Sequence, residues 1–387
     1  MRIAFVHNWF PAGGAERVTM DIAGYLNSVG GYEVFVYATH ISQTGLAGEV
    51  ADMLTVRMIP SQAFPSRRSR VIEKLIVEDG IDIIVQVTKS IPGIEGIRRR
   101  TGCKTVVACH GEPFWQRHVI VNRRQKGFLR RVVWHLFNRK RFEDGSLAMK
   151  MAVERSRRDY DSCDAYTVLC SSYKYETAAV FGIDPELSHI YAIENPEKTV
   201  ANPSLDKERI ILFCGRMENW SKRTDRLLRI WHSVQDRLQD WKLVIAGDGP
   251  DLDKMKRMAG ELGLSRVSFE GRQNDMSPYY RKASVVCLTS QTEGWPLALT
   301  EAQAHGCICV AFGCTSGVRD ILSPEEECGF VIEPFDEGQY ADTLIRIAGM
   351  SEEEQMHVRK QAIARRAEYV PSVIAQKWKA LFDSLMN

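Results

Sequence analysis

Short runs of β-branched and aliphatic residues alternate with amphipathic stretches of helical length along nearly the whole chain, and that alternation admits few folds. Residues 3–6 read as a strand, 15–27 as a helix and 33–37 as a second strand, the βαβ rhythm of a parallel sheet. Further strands are expected at 81–87, 104–109, 165–170 and 188–193. A polar stretch punctuated by Pro196 and Pro203 interrupts the pattern, which then restarts with a strand at 210–214, a helix at 223–238, a strand at 241–246 and a helix at 252–262. Strands at 267–270, 284–288 and 308–312 follow. A chain of 387 residues is too long for one ordinary core. The reading is therefore α/β with two doubly wound domains: 1–195, a linker at 196–209, 210–370, and a last helix at 371–387. That helix carries Val373, Ile374, Trp378, Leu381, Phe382 and Leu385 at helical spacing and needs a surface to dock on.

Composition narrows the class. With 44% hydrophobic and 26% charged residues, the chain is neither fibrous nor disordered. No apolar run reaches the ~18 residues of a membrane span, and the opening residues do not form a secretory signal. The ten cysteines include no C-x-x-C pair, and Cys109, Cys170, Cys214 and Cys287 fall in apolar runs, which suits buried thiols in a reducing, cytoplasmic setting. The net charge of +2 hides an asymmetry: residues 117–158 hold thirteen Lys/Arg against three Asp/Glu, leaving −8 elsewhere.

In an open parallel sheet, ligands sit outside the carboxyl ends of the strands, so the residues that follow each strand are the first candidates for chemistry. After the first strand, Gly13-Gly14-Ala15-Glu16 leads into a helix, a turn that lets backbone N–H groups approach an anion and equally serves as an ordinary strand-to-helix connection. After the strand at 210–214 come Gly215, Arg216 and Lys222, a guanidinium fork and a point charge able to converge on a diphosphate. The sharpest signal is Glu293-Gly294-Trp295-Pro296-Leu297 running on to Glu301. If Pro296 opens a helix, Glu293 lies in the loop and Glu301 more than a turn inside, on a fairly apolar face where a carboxylate wants a partner. His110 ends the strand at 104–109. The D-x-D matches at Asp251/Asp253 and Asp159/Asp161 read as a helix opening and a charged segment, so no metal site and no cofactor are expected.

Together the E-x7-E spacing of Glu293 and Glu301, the Gly215-Arg216…Lys222 loop, the Gly247-Asp248-Gly249-Pro250 turn and the opening glycine pair resemble retaining glycosyltransferase family 4. The resemblance covers nearly the whole chain. It implies a GT-B fold: two Rossmann-like domains facing a cleft, with the last helix crossing back to the first domain. The amino-terminal domain would bind the acceptor and the carboxyl-terminal domain the nucleotide-sugar donor. Arg216 and Lys222 would hold the donor diphosphate with Gly14 close by, Glu301 the ribose, Glu293 the transferred sugar, and residues 294–297 would line the donor site. His110 would contact the donor sugar. Asn195-Pro196 departs from the Asn-Gly of related sequences, which puts the role of Asn195 in doubt. The implied reaction is retaining transfer of a hexosyl residue to a glycan or polyprenyl-diphosphate-linked glycan acceptor, by same-face displacement without a metal, in cell-surface polysaccharide or lipopolysaccharide synthesis. UDP is the commoner donor nucleotide in the family and is the one expected. The alternatives are a sugar-nucleotide epimerase of the same fold and a noncatalytic nucleotide-sugar binding protein. A dinucleotide oxidoreductase is disfavoured, since no G-x-G-x-x-G follows the first strand.

Residues 123–141 combine Arg123, Arg124, Lys126, Arg130 and Arg131 with Phe128, Val132, Val133, Leu136 and Phe137 at helical spacing. Such a stretch suits an anionic membrane surface, at the inner face of which a polyprenyl-diphosphate-linked glycan acceptor would be reached; it equally suits a helix packed on its own domain with solvated charges. No nucleic-acid recognition module accompanies it. If it binds membrane, the protein co-floats with anionic liposomes at low salt and is released by high salt; a protein that stays in the soluble fraction at low salt contradicts the reading.

Overall fold

The computed structural model describes residues 1–11, 14–41, 54–60, 65–87, 90–122, 146–197 and 200–387. Arg123, Arg124, Lys126, Arg130 and Arg131, with the basic stretch around them, lie outside the described residues. The chain divides into two compact units, Met1–Pro196 with Pro371–Asn387, and Glu197–Val370.

The first unit is built on seven parallel strands, β1 (Arg2–Phe10), β2 (Glu33–Ile41), β3 (Thr55–Met58), β4 (Ile83–Val87), β5 (Lys104–Ala108), β6 (Ala165–Val168) and β7 (Ile190–Ala192), in the order β3-β2-β1-β4-β5-β6-β7. Central strands are buried along their length, as β4 with Ile83, Ile84 and Val85 shows, because helices cover both faces of a parallel sheet. β3 was not anticipated. Its Thr-Val-Arg-Met sequence lies at the sheet edge and is mostly exposed, so it lacks the apolar run that marks a covered strand. β7 is shorter than residues 188–193, and Cys109 and Cys170 fall just past the strand ends.

The helix Pro371–Met386 belongs to this first unit. Ile374, Ala375, Trp378, Leu381 and Phe382 are buried, and Trp378 packs edge-on against Phe5 of β1 with ring centroids 6.4 Å apart. Its polar side is tied down too: Tyr32 donates to Asp383 at 2.7 Å, and Lys377 pairs with Glu194 at 2.6 Å.

The second unit holds six parallel strands, β8 (Glu208–Cys214), β9 (Lys242–Ala246), β10 (Val267–Gly271), β11 (Ala283–Leu288), β12 (Ile308–Phe312) and β13 (Phe330–Ile332), in the order β10-β9-β8-β11-β12-β13. The three-residue β13 is too short to leave a pattern in the sequence. The core joins β8, β9, β11 and β12 to the helix Thr224–Val234 through Phe213, Leu228, Trp231, Leu243, Val285 and Phe312. The segment read as a linker, 196–209, is not a free tether. From Glu197 it belongs to the second unit, where the Lys207 ammonium donates to the backbone oxygens of Tyr280, Arg281 and His305 and β8 already begins at Glu208.

Both sheets reverse their strand order once, between β1 and β4 in the first and between β8 and β11 in the second. At such a point the loops leaving the two neighbouring strands run in opposite directions and open a crevice.

Candidate active site

The crevice of the second unit collects the residues that the sequence singled out. β8 ends at Cys214, and the chain passes through Gly215, Arg216 and Lys222 before the helix Thr224–Val234. β11 ends at Leu288 and leads through Ser290 and Glu293 to the helix Leu297–Ala304, with Pro296 at its cap. Strand pairing holds the two loops side by side. Hydrogen bonds to backbone carbonyls then clamp them: Gln291 N–H donates to Ser221 O at 2.7 Å, and the Thr289 hydroxyl is within donating reach of Lys222 O and Arg223 O.

Lys222 and Glu293 meet at 2.6 Å, and the Ser290 hydroxyl donates to the same Glu293 oxygen at 2.5 Å. Burial alone would push the ammonium of Lys222 down, but the adjacent Glu293 carboxylate outweighs it and raises the pKa, so Lys222 is a fixed cation. Ser290 is fully buried and was not anticipated; it sits three residues before Glu293, a spacing with no meaning until the loop is folded.

Glu301 lies in the second turn of its helix, and the partner its apolar face requires is Tyr280, whose hydroxyl donates to Glu301 Oε2 at 3.0 Å. Since that proton is committed, the Cys214 thiol, 2.9 Å from the Tyr280 oxygen, supplies the next one. Burial pushes Cys214 up to about 12 and Tyr280 well above its usual value, so both keep their protons and the relay runs from thiol to phenol to carboxylate. Tyr280 is 21 residues before Glu301 and gave no sequence signal.

A pocket of about 500 Å³ opens at this place, lined by Cys214, Gly215, Arg216, Tyr280, Ala298 and Glu301 together with Gly247–Gly249 and Arg272–Gln273. Ala298 and Glu301, three residues apart, present one helix face to it. Arg216 lines the pocket and is largely exposed, with Glu218 at 3.8 Å, whereas Lys222 is more buried and packs beside Gly215 without lining the pocket. The two cations are thus at different depths rather than on one contact. The floor is backbone. Gly247 and Gly249, at φ +149° and +158°, press so closely on the loop after β8 that a Cβ would lie 1.8 Å from Gly215 O and 2.5 Å from Met217 O. Trp295 is buried with its ring against Tyr369, centroids 5.4 Å apart, and residues 294–297 are not among those that line the pocket. Pro296 is likewise buried, while Gly294 and Leu297 are half-buried at the loop end.

The first unit assembles a second cluster. His7, within β1, is buried with Nε2 2.9 Å from Thr19 Oγ1 and Nδ1 3.5 Å from Glu16. His110, two residues past β5, has Nδ1 3.0 Å from Asn195 Oδ1, and burial pushes its pKa down to about 4. Gly14 is exposed as the first residue of the helix Gly14–Val29. The D-x-D carboxylates are spent locally, Asp251 accepting from Asn219 N–H and Asp159 from Ser90. Among the described residues no three His, Cys, Asp or Glu side chains gather as a metal site.

Two family models match consecutive parts of the chain: one described as Glycosyltransferase Family 4 over residues 12–196, and one described as Glycosyl transferases group 1 over 194–365. The chain belongs to the GT-B glycosyltransferases. An uncharacterized glycosyltransferase of Haemophilus influenzae is 34% identical over 175 residues, 44% of this chain and 48% of that relative, so the match spans about half the relative's length. A Campylobacter jejuni α-1,4-N-acetyl-D-galactosaminyltransferase, named for a PP-undecaprenol-linked glycan, is 23% identical over 400 residues, 100% of this chain and 99% of its own. Among solved structures, Anabaena HepE in complex with UDP-glucose superposes with a TM-score of 0.75 at 15% identity, over 99% of this chain and 100% of that one. At that identity the likeness shows the GT-B fold.

Tyr280→Phe removes the proton held on Glu301 and leaves a buried thiol without its acceptor. The expected cost is about 1–3 kcal/mol of second-unit stability, read by denaturant unfolding; an unchanged midpoint contradicts the relay.

Proposed function

We propose that this glycosyltransferase is a retaining hexosyltransferase that uses a UDP-sugar and acts on a lipid-linked glycan in cell-surface polysaccharide or lipopolysaccharide synthesis. The observation that carries the donor side is the crevice between β8 and β11, where Arg216 and Glu301 line one pocket and Lys222, packed against the lining Gly215, pairs with Glu293 beside it. In this reading Lys222 and Arg216 take the diphosphate, Arg216 from the pocket lining and Lys222 from beside Gly215. The first amides of the helix Leu297–Ala304 add partial positive charge there. Glu301, oriented by Tyr280, accepts from the ribose hydroxyls. Glu293, released from Lys222 as the phosphates take its place, accepts from hydroxyls of the transferred sugar.

The chemistry asked of the protein is electrostatic. The bond from the anomeric carbon to the phosphate oxygen breaks while the acceptor oxygen attacks the same face, and the acceptor proton passes to the departing diphosphate. Fixed cations that meet the growing phosphate charge lower that barrier. No metal is required in this reading, and the retained configuration follows from same-face attack, there being no carboxylate assigned as a nucleophile. UDP is supported by the UDP-glucose complex of HepE, and a polyprenyl-linked acceptor by the name of the Campylobacter relative. In this reading the protein works on the cytoplasmic side, at the inner membrane face.

A screen of nucleotide sugars for slow donor hydrolysis, followed by transfer assays, tests the proposal. Lys222→Ala and Glu293→Ala are each expected to lower kcat by about 10²–10³-fold, with EDTA without effect. Unimpaired transfer by both variants would show that the site is wrong, and release of free epimerised sugar would identify an epimerase.

A further inference from the structure

The first unit contains a hydrogen bond whose chemical meaning the donor site does not use. His110 and Asn195 are 85 residues apart and stand at the carboxyl ends of neighbouring parts of the sheet, one after β5 and one after β7. Asn195 is 6% exposed and is held on its amino-terminal side twice: Ile193 N–H donates to Val168 O at 2.8 Å, and the Glu194 carboxylate is pinned by Lys377 from the last helix. Its amide oxygen is presented to His110 Nδ1 at 3.0 Å. An amide oxygen only accepts, so the ring nitrogen facing it carries the proton. A neutral imidazole has one proton to place, and the other nitrogen, Nε2, is left bare.

We infer that Asn195 is a positioning residue that locks His110 in the neutral Nδ1–H tautomer, so that Nε2 offers a hydrogen-bond acceptor to a hydroxyl of the sugar substrate. The inference rests on the proposed transferase reading and adds to it the protonation state and the residue that sets it. Its direction matters. A bare Nε2 receives a sugar hydroxyl, whereas an Nε2–H or an imidazolium would donate and would favour a phosphate or carboxylate instead. Burial disfavours the imidazolium and His7 on β1 repels it, whereas the hydrogen bond to Asn195 and the carboxylate of Glu16 on the helix Gly14–Val29 favour it; burial prevails, which keeps the ring neutral through the physiological range. An asparagine suits this task better than an aspartate, because a carboxylate at the same place would accept the Nδ1 proton equally well but would also stabilise the charged ring.

Two variants and two readouts test this. Histidine ring nitrogen NMR on the full-length wild-type protein is expected to show His110 as a single neutral Nδ1–H form at pH 7 that titrates near pH 4, and Asn195→Ala to show both tautomers. In turnover of a UDP-hexose, Asn195→Ala is expected to lower kcat about tenfold at every pH, the size of one lost hydrogen bond. Asn195→Asp keeps the tautomer and raises the ring pKa, so its acid limb moves to higher pH and most of the wild-type rate returns above it. A purely structural asparagine would not shift that limb. An Nε2–H tautomer in the wild type, or an Asn195→Ala protein with unaltered tautomer and rate, overturns the inference. If wild type turns over no UDP-hexose, the functional proposal fails while the NMR measurement still decides the tautomer.

Discussion

The contact between Lys222 and Glu293 is possible only because the second sheet reverses its strand order between β8 and β11. The two residues are 71 positions apart, and neither loop is rigid by composition. What brings an ammonium within 2.6 Å of a carboxylate is the side-by-side pairing of two parallel strands whose exit loops are then clamped by Gln291 and Thr289. Burying such a pair is costly unless its remaining hydrogen bonds are met, and Ser290 meets one of them. The glycines at 247 and 249 contribute from the other side, since no larger residue lets β9's exit loop lie against the loop after β8. Pocket shape and pocket charge thus come from the same strand order.

The first unit follows the same rule with different chemistry. Its sheet also reverses, and the side chains gathered there, from β1, its following helix and the loops after β5 and β7, are two imidazoles, a carboxylate and an amide rather than a set of cations. The last helix does more than cover apolar surface there. Trp378 locks onto Phe5 of the central strand, and Lys377 anchors the residue next to Asn195, so the helix fixes both the middle of the sheet and the edge of the cluster.

Much of this was legible in the chain itself. The two α/β halves were visible because buried parallel strands must be apolar throughout, and the need of the last helix for a docking surface followed from its apolar stripe. Glu301's need for a partner was legible from its apolar neighbours. The partner was not, because Tyr280 is joined to it by packing between two strands and a helix and not by any local spacing. Ser290 and the His110–Asn195 bond escaped for the same reason. The packing of Trp295 against Tyr369 could not be read from the sequence, because the two residues are brought together by the fold and by no local spacing. β3 and β13 were missed because an exposed edge strand and a three-residue strand carry too little hydrophobic pattern.

The most direct test of the donor site is a crystal structure of the protein with UDP bound. The account predicts the diphosphate within about 3 Å of Lys222 Nζ, hydrogen-bonding distance for a charged donor, with the ribose hydroxyls on Glu301 and Glu293 released from Lys222. A nucleotide bound away from the crevice between β8 and β11, with the Lys222–Glu293 contact intact, would contradict it.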